Sequence, residues 1–318
     1  MSFVYRDLAH EYRLERDPHS FHQSSENQCR DKENTAWEDK EQQIQSSYSL
    51  SVIIAARDEA ASLPQLVKEV CQALRQLCKE SKQTRIGHLT GYEIIVVDDG
   101  STDSTWLILK ALRETYPQLR PLRLGTSAGQ SAATVAGLQI ARGDWIATLD
   151  ADLQNDPADL IMLWNARHGY DAVLGWRVHR ADVWSKRLIS CFANWVRNSV
   201  LGQSIRDTGC SIRLFPRSVA LTLPFFQGVH RFWGPLLLRA GCRIIQVPVN
   251  HRPRTYGRSH YSLWNRSIGV LIDLFGVAWL IHRPLRYEVE VNSELKVEAC
   301  LNLRDEQSMG VKKSREVA

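Results

Sequence analysis

The sequence predicts an α/β fold in which helices flank a mostly parallel β-sheet. From Leu50 onward, short apolar runs alternate with stretches of helical periodicity, and this alternation is typical of a parallel sheet. Charged residues follow three of the apolar runs, as they do at the carboxyl edge of a ligand-binding sheet. The chain has 318 residues, of which 44% are hydrophobic, so it can bury a substantial core.

The first half of the predicted fold contains four strands and three helices. Unbroken apolar runs predict buried strands, and Pro64 followed by apolar positions three or four residues apart predicts the first helix. The strands are predicted at residues 51–56, 92–97, 122–124 and 145–149. The helices between them are predicted at residues 62–81, 104–116 and 131–141.

The second half continues the alternation and ends in an amphipathic helix. Helices are predicted at residues 157–167, 184–201, 232–239 and 263–280, and strands at 172–175, 211–215 and 243–249. We divide the chain into a polar, disordered extension (1–48), the α/β domain (49–262), the amphipathic helix (263–285) and a strand-like segment with a polar tail (286–318). The amphipathic helix either lies at a membrane interface or packs on the domain, since no run reaches the roughly 18–20 apolar residues of a spanning helix.

The charge distribution is strongly uneven. Residues 1–48 carry six Lys and Arg against ten Asp and Glu, whereas residues 167–258 carry fifteen against three. Fourteen of those fifteen are Arg, a residue suited to bidentate binding of phosphate. An anionic partner is therefore expected, either nucleic acid, a phosphorylated substrate or an anionic membrane surface, and we favour phosphate recognition. A well-solvated surface is the alternative interpretation.

Cysteine usage and the N-terminus bear on the cellular compartment. The seven Cys include no Cys-x-x-Cys pair, and the first residues lack the apolar core of a secretory signal. A reduced, cytoplasmic protein is the simplest interpretation.

Two carboxylates one residue apart end the run at 145–149. Residues i and i+2 of a strand point to the same side, so Asp150 and Asp152 can converge on one hard cation, Mg²⁺ or Mn²⁺. Alone, this motif is weak evidence, because an Asp-x-Asp pair is more often a loop cap or a solvated turn.

The run at 92–97 also ends in acids, Asp98 and Asp99, followed by Gly and small hydroxyl residues. Such a strand end can receive a ribose or a base edge, although Asp103 or Ser104 also suits a simple helix cap. The chain contains neither a Gly-x-Gly-x-x-Gly fingerprint nor a Gly-x-x-x-x-Gly-Lys-Ser/Thr loop. Classical NAD-binding and P-loop chemistry are therefore not expected.

Seven motifs together resemble the family 2 inverting glycosyltransferases of the GT-A fold. They lie, in the family's order, at residues 98–103, 129–133, 150–157, 174–177, 206–211, 228–232 and 250–261. Within that family the chain is most similar to polyprenyl-phosphate (dolichol-phosphate-type) mannosyl- or glucosyltransferases, over about residues 49–285. The resemblance implies a Rossmann-like GT-A sheet and transfer of a hexose from a GDP-mannose- or UDP-glucose-type donor to a polyprenyl phosphate.

The resemblance also implies roles for individual residues. The donor would be bound by Ala55, Arg57, Glu59, Asp98, Asp99, Ser101, Gly129 and Gln130. The catalytic set would be Asp150, Asp152, Gln154 and Arg177, with Asp150 and Asp152 also holding Mg²⁺ or Mn²⁺ on the donor diphosphate. Arg213, Arg252, Arg254 and Ser259 would bind phosphate and the acceptor.

The basic second half favours a phosphate acceptor over a sugar hydroxyl. A phosphate monoester is already ionised, whereas a hydroxyl acceptor requires a positioned base, for which Asp207 is the obvious candidate. Transfer to a glycan or protein hydroxyl stays open as an alternative. A non-catalytic membrane- or nucleic-acid-binding protein is disfavoured by the intact acidic motifs, and RNA binding also by the lack of an aromatic RNA-binding motif. We expect a peripheral protein at the cytosolic face of a membrane, with a membrane protein as a further candidate partner.

Overall fold

The computed structural model describes residues 47–83, 87–178, 199, 201–202, 205–253 and 264–283. Most of the predicted extension, nearly all of the predicted helix at 184–201 and the whole segment 286–318 lie outside the described residues. Arg254 and Ser259 lie outside them as well.

The described residues form seven strands, seven α-helices and one 3₁₀ turn. The strands are β1 (Ser47–Ala56), β2 (His88–Asp98), β3 (Leu119–Arg123), β4 (Trp145–Asp150), β5 (Ala172–Arg177), β6 (Arg213–Pro216) and β7 (Ile244–Val249). The helices are α1 (Leu63–Gln83), α2 (Thr105–Thr115), α3 (Gln130–Ile140), α4 (Asp159–Ala166), α5 (Arg217–Thr222), α6 (Trp233–Arg239) and α7 (Trp264–His282). The 3₁₀ turn is Val229–Arg231.

The strands form a single mixed sheet in the order β3-β2-β1-β4-β6-β5-β7. All neighbouring pairs are parallel except those of β6, which runs antiparallel to β4 and β5. The predicted mostly parallel sheet with flanking helices is therefore confirmed. Its register aligns the acidic strand ends, because Ala55 lies opposite Asp150 and Ala56 opposite Asp98.

Two apolar cores cover the two faces of the sheet. Alternation along β1 sends Val52 and Ile54 to one core, with α1, and Ile53 to the other, with α3 and α6. The first core includes Leu66 of α1, and the second includes Trp233 of α6. A sheet buried on both faces explains why its central strands are continuous apolar runs.

Helix α7 has one face in the second core and another in solvent. Leu274 and Val277 are buried, and Nε of Arg239 donates to the carbonyl of Leu280 at 3.0 Å. One face of α7 therefore packs on the α/β domain, which is one of the two alternatives predicted for this helix. Within the described ranges, the structure contains no helix with the length and hydropathy that a membrane crossing requires.

The structure corrects several predicted boundaries. Strand β1 begins at Ser47, two residues inside the predicted extension, because Ser47 and Tyr48 pair with β2. Strand β3 begins at Leu119 rather than at 122, since an edge strand tolerates Pro121, which has no N–H to donate. Helix α5 and the 3₁₀ turn were not predicted, because such short elements carry almost no periodic signal.

Candidate active site

Asp99, at the end of β2, holds the loop that precedes α3. Its Oδ1 accepts a hydrogen bond from the backbone N–H of Ala128 at 2.7 Å, and its Oδ2 accepts from that of Gly129 at 2.9 Å and from Oγ of Ser127 at 3.0 Å. Gly129 has φ 89°, a left-handed conformation that glycine adopts without steric cost. Asp99 therefore shapes the approach to the first turn of α3.

Asp58 and Asp98 join the loops that follow β1 and β2. Oδ1 of Asp58 accepts from the N–H of Thr102 at 2.7 Å, and the N–H of Asp58 donates to Oγ of Ser101 at 2.9 Å. Oδ1 of Asp98 accepts from the N–H of Ser101 at 2.9 Å, while Nε of Arg123 lies 3.2 Å from its Oδ2. These carboxylates fix backbone geometry at the edge predicted to bind the donor.

Arg57 and Glu59, which follow β1 and are also predicted to bind the donor, contact neighbouring side chains. Arg57 is exposed, and its Nε lies 3.8 Å from Oδ2 of Asp58. The Glu59 carboxylate accepts from Oγ of Ser62 at 2.7 Å, at the start of α1. The Arg57 side chain is thus exposed beside Asp58, whereas the Glu59 carboxylate stabilises the start of helix α1.

Asp150 and Asp152 lie together where β4 ends, as predicted. Oδ1 of Asp150 accepts from Nε2 of Gln130 at 2.8 Å, and Oδ1 of Asp152 accepts from the N–H of Gln154 at 3.1 Å. Burial raises the pKa of Asp150, and the nearby charge of Asp152 raises it further. Leu153 has φ 62°, so the chain turns sharply between the acid pair and Gln154.

A cavity of about 250 Å³ lies beside Asp150, between the sheet and helices α3 and α6. Four predicted residues line it, namely Ala55, Gln130, Asp150 and Arg213. The rest of its lining consists of Ile53, Thr134, Thr148, Leu149, Thr208, Gly209, Ser211, His230, Arg231 and Trp233. One or two members of each predicted set, for donor, metal and phosphate, thus border one cavity, whereas Asp152 and Gln154 are not in its lining.

Arg213 and His230 form one wall of this cavity. The buried guanidinium of Arg213 donates to the carbonyl of His230 at 2.7 Å and to that of Thr208 at 2.9 Å. Nδ1 of His230 lies 2.6 Å from Oγ of Ser131, which also accepts from the N–H of Gly228 at 2.9 Å. His230, Ser131 and Trp233 were not predicted as site residues, although the motif at 228–232 contains the histidine.

Arg177, which the sequence predicts to meet phosphate, forms a bidentate ion pair with Asp207. Its Nε and Nη2 donate to the two carboxylate oxygens of Asp207 at 2.7 and 3.0 Å. Oδ1 of Asp207 also accepts from the N–H of Gly209 at 3.0 Å. Arg177 does not line the cavity described above.

Arg252, predicted to bind the acceptor, reaches two carboxylates on other elements. Its Nη1 lies 2.6 Å from Oε2 of Glu69, and its Nη2 lies 2.9 Å from Oδ1 of Asp156. The N–H of Arg252 donates to the carbonyl of Gln154 at 2.8 Å. This residue therefore ties the segment after β7 to the turn that carries the acid pair.

The carboxylate oxygens at the end of β4 are suitable ligands for a hard divalent cation. Among the described residues, no group of three or more His, Cys, Asp or Glu side chains could hold a metal ion, so the predicted pair Asp150 and Asp152 would supply two carboxylates. Mg²⁺ and similar ions are commonly held by one or two carboxylates and completed by substrate phosphates. Burial is the main cause of the raised pKa of Asp150, and the charge of the neighbouring Asp152 adds to it.

Acid-bearing strand ends aligned at one edge of a mostly parallel sheet, next to a cavity, form a ligand site of the kind found in open α/β folds. The family model described as "Glycosyl transferase family 2" matches residues 51–220. The chain belongs to this family.

Two curated relatives extend the match beyond the family model. Undecaprenyl-phosphate 4-deoxy-4-formamido-L-arabinose transferase of Enterobacter sp. (strain 638) is 33% identical over 245 residues, or 76% of this chain and 71% of the relative. Dodecaprenyl-phosphate galacturonate synthase of Rhizobium johnstonii is 31% identical over 247 residues, or 76% of this chain and 69% of the relative.

A solved structure supports the fold. Glucosyl-3-phosphoglycerate synthase from Mycobacterium tuberculosis, solved with Mn²⁺, UDP and phosphoglyceric acid, superimposes with a TM-score of 0.56 at 18% identity. The match covers 81% of this chain and 85% of that one. At this identity the likeness shows the shared fold.

Proposed function

We propose that this glycosyltransferase moves a sugar, with inversion, from a nucleotide sugar to a polyprenyl phosphate. Both curated relatives are named for transfer to, or synthesis of, a polyprenyl-phosphate-linked sugar. The hexose donors expected from the sequence, of the GDP-mannose or UDP-glucose type, are the first to test. The relatives' names add an amino-pentose derivative and a uronic acid as donor sugars.

The hydrogen bonds that Asp207 accepts favour a phosphate acceptor over a hydroxyl acceptor. Transfer to a hydroxyl requires a general base within hydrogen-bond reach, and Asp207 was the candidate for that role. Both of its oxygens accept hydrogen bonds from Arg177, and one also accepts from Gly209. Among the described residues that line the cavity, Asp150 is the one carboxylate. A phosphate monoester, with a second pKa of about 6, arrives as an anion and needs no base.

The residues around the cavity then have distinct tasks. Asp150 and Asp152 would hold Mg²⁺ or Mn²⁺, which when bound neutralises charge on the leaving diphosphate. Gln130 orients Asp150 through their 2.8 Å hydrogen bond. Arg213 supplies a fixed positive charge in the cavity wall, where burial strengthens its interaction with an anionic oxygen.

A two-sided screen tests this proposal. Nucleotide sugars are first ranked by thermal stabilisation of the full chain with Mg²⁺, with Mn²⁺ and with EDTA. The best donor is then incubated with a short polyprenyl phosphate, the matching polyprenol, and a panel of glycan and peptide hydroxyls. We expect product only with the polyprenyl phosphate, and only with a divalent cation.

The polyprenol is the matched control, because it retains the lipid and replaces the phosphate with a hydroxyl. Sugar transfer to polyprenol or to a glycan at a comparable rate would refute the phosphate acceptor. Equal rates in EDTA would refute the role of the metal.

We also propose that the enzyme is peripheral to the cytosolic face of a membrane. Ile272, Phe275 and Trp279 of α7 are 66%, 64% and 60% exposed. Their spacing of three and four residues places them on one stripe of the helix, away from buried Leu274 and Val277. An apolar stripe with an aromatic anchor suits the interface of the bilayer that holds the lipid acceptor. The free thiols among the described cysteines fit a reducing compartment.

Vesicle co-sedimentation tests the membrane proposal. Wild type should bind vesicles that contain phosphatidylglycerol, and the triple variant Ile272→Ser, Phe275→Ser, Trp279→Ser should bind at least about tenfold more weakly because it loses three inserting side chains. Leu107→Ser on α2, 63% exposed in the native protein, is the matched control and should bind like wild type. Undiminished binding of the triple variant would refute the role of α7.

A further inference from the structure

Ser211 lies opposite Asp150, one of the two predicted metal ligands. Strands β4 and β6 are antiparallel with Thr148 opposite Arg213, so the same register two residues further along places Ser211 opposite Asp150. Oγ1 of Thr148 donates to the carbonyl of Ser211 at 2.5 Å and fixes that segment against β4. All four side chains line the cavity, as expected of alternate positions on two paired strands. Opposite residues have Cβ atoms about 5 Å apart, so the Ser211 hydroxyl is within reach of the Asp150 carboxylate.

The Ser211 hydroxyl has two polar neighbours. Its Oγ lies 2.6 Å from Oδ1 of Asn155, a residue that is only 4% exposed. It also hydrogen-bonds to Asp150, whose pKa is raised by burial and by the charge of Asp152 and lowered by this hydrogen bond. Gln130 donates to the same carboxylate from α3, so two different elements of the fold support Asp150.

Asn155 lies in a turn whose backbone is tied to the segment after β7. It forms an isolated antiparallel bridge with His251. The carbonyl of the preceding residue, Gln154, accepts from the N–H of Arg252 at 2.8 Å. Backbone contacts therefore hold the Asn155 amide beside Ser211.

The Ser211 hydroxyl has a single proton for its two neighbours. In the structure it donates to Oδ1 of Asn155, yet an ionised Asp150 accepts hydrogen bonds and donates none. Half a turn of the Asn155 amide exchanges Oδ1 for Nδ2, which is a donor. Nδ2 then donates to Ser211, and the hydroxyl proton is directed at Asp150. In this orientation both contacts of Ser211 pair a donor with an acceptor.

We propose that Ser211 and Asn155 are positioning residues for the metal site, in which the Asn155 amide donates to Ser211 and Ser211 donates to the Asp150 carboxylate. Together with Gln130, this chain of hydrogen bonds keeps Asp150 in the orientation that binds a divalent cation. The inference rests on the proposed role of Asp150 and Asp152 as metal ligands. Hydrogen-bond partners of metal ligands typically contribute about 10–100-fold to metal affinity.

Binding of Mn²⁺ to the full chain tests this proposal without any transfer reaction. The electron paramagnetic resonance signal of the free ion is followed as the protein is added to Mn²⁺ with UDP and, separately, with GDP, each corrected for a protein-free blank. The variants are Ser211→Ala, Ser211→Thr, Asn155→Ala and the double variant Ser211→Ala, Asn155→Ala. Thr90→Val is the control, because the Thr90 hydroxyl donates to the carbonyl of Tyr48 at 3.0 Å near the amino end of β2.

Ser211→Ala should raise the Kd for Mn²⁺ about tenfold or more, because Asp150 loses a hydrogen-bond donor. Ser211→Thr retains the hydroxyl and should bind within a few-fold of wild type. Thr90→Val should bind like wild type. Equal Kd values for Ser211→Ala and wild type would overturn the proposal.

The double variant separates a relay from two independent contacts. Asn155→Ala should itself weaken Mn²⁺ binding a few-fold, and it should add nothing in the Ser211→Ala background, because Asn155 acts only through Ser211. Additive losses would contradict the relay. Asn155→Ala also keeps the test decisive if Ser211→Ala does not fold, since unchanged Mn²⁺ binding in it would again overturn the proposal.

Failure of the proposed function gives a different result. Wild type that binds no Mn²⁺ beyond the blank with either nucleotide would refute the metal role on which both proposals rest. Ser211-dependent Mn²⁺ binding without lipid-linked product would refute the polyprenyl phosphate acceptor and leave the roles of Ser211 and Asn155 standing.

Discussion

The carboxyl edge of the sheet has two acidic regions that use the same residue type in different ways. At β1 and β2, Asp58, Asp98 and Asp99 all accept hydrogen bonds from backbone N–H groups of neighbouring loops. At β4, Asp150 receives a side-chain amide from another element, and its pKa is raised by burial and by Asp152. The first region builds a backbone frame, whereas the second concentrates negative charge beside a cavity.

From this difference we predict that the acids of the first region act mainly on stability and those of the second on ligands. A carboxylate that accepts several N–H donors is stabilised in its charged form and has little capacity left for a cation. Two carboxylates that crowd each other gain from a divalent ion placed between them and the substrate. Substitutions in the first region should therefore lower mainly stability, and substitutions in the second region should lower mainly activity.

The largest expected effect is on catalysis by the β4 region. Asp152→Asn should lower kcat/KM for sugar transfer about a thousandfold, because one of two candidate metal ligands loses its charge. Its free energy of unfolding, measured in urea, should stay within about 1 kcal/mol of wild type, since the amide can still accept from Gln154. Asp171→Asn, at the opposite edge, is the control and should retain full activity. Wild-type rates for Asp152→Asn would refute the catalytic role that distinguishes the β4 region from the β1 and β2 region.

The next effect is on stability, through the β2 region. Asp99→Ala should lower the free energy of unfolding by about 3 kcal/mol, because Ser127 and the N–H groups of Ala128 and Gly129 lose their acceptor. Asp99→Asn retains one carbonyl acceptor and should cost about half as much. Urea unfolding monitored by far-UV circular dichroism measures both variants. Unchanged stability combined with lost nucleotide affinity would show that Asp99 acts on the donor rather than on the loop.

The central strands and the meeting of the acids were predictable from the sequence. Strands β1, β2 and β4 are buried on both faces and therefore appear as apolar runs, and parallel strands must bring their carboxyl ends to one edge. The different uses of Asp99 and Asp150 were not predictable, because the same side chain serves both. The partner of Arg252 was equally hidden, since Glu69 lies 183 positions away in the chain. His230 reaches the cavity from a short 3₁₀ turn that leaves no periodic signal, whereas Trp233 begins a helix that was predicted without any sign that it borders a cavity.

A smaller effect should appear in the pH dependence of stability. Burial raises the pKa of Asp159 to about 6, despite hydrogen bonds from the N–H and side-chain amide of Asn250. The folded protein therefore binds more protons than the unfolded chain between about pH 4 and 6, so stability falls as pH rises through this window, by about 2 kcal/mol. Asp159→Asn should remove that slope, and Asp171→Asn should retain it. A slope of the same size in Asp159→Asn would assign the proton to another group.

The smallest effect concerns Arg252, which the sequence associates with the acceptor and the structure pairs with Glu69 and Asp156. The pair is partly exposed, so Arg252→Gln should cost less than about 1 kcal/mol of stability. If Arg252 positions the turn at Gln154, the variant should lower kcat a few-fold and leave the KM for polyprenyl phosphate unchanged, and Arg252→Lys should recover part of the loss by serving one of the two acids. If the residue binds phosphate, that KM should instead rise about tenfold while the donor KM stays constant. Initial rates with each substrate varied in turn separate the two roles, because only direct contact with the acceptor acts selectively on its KM.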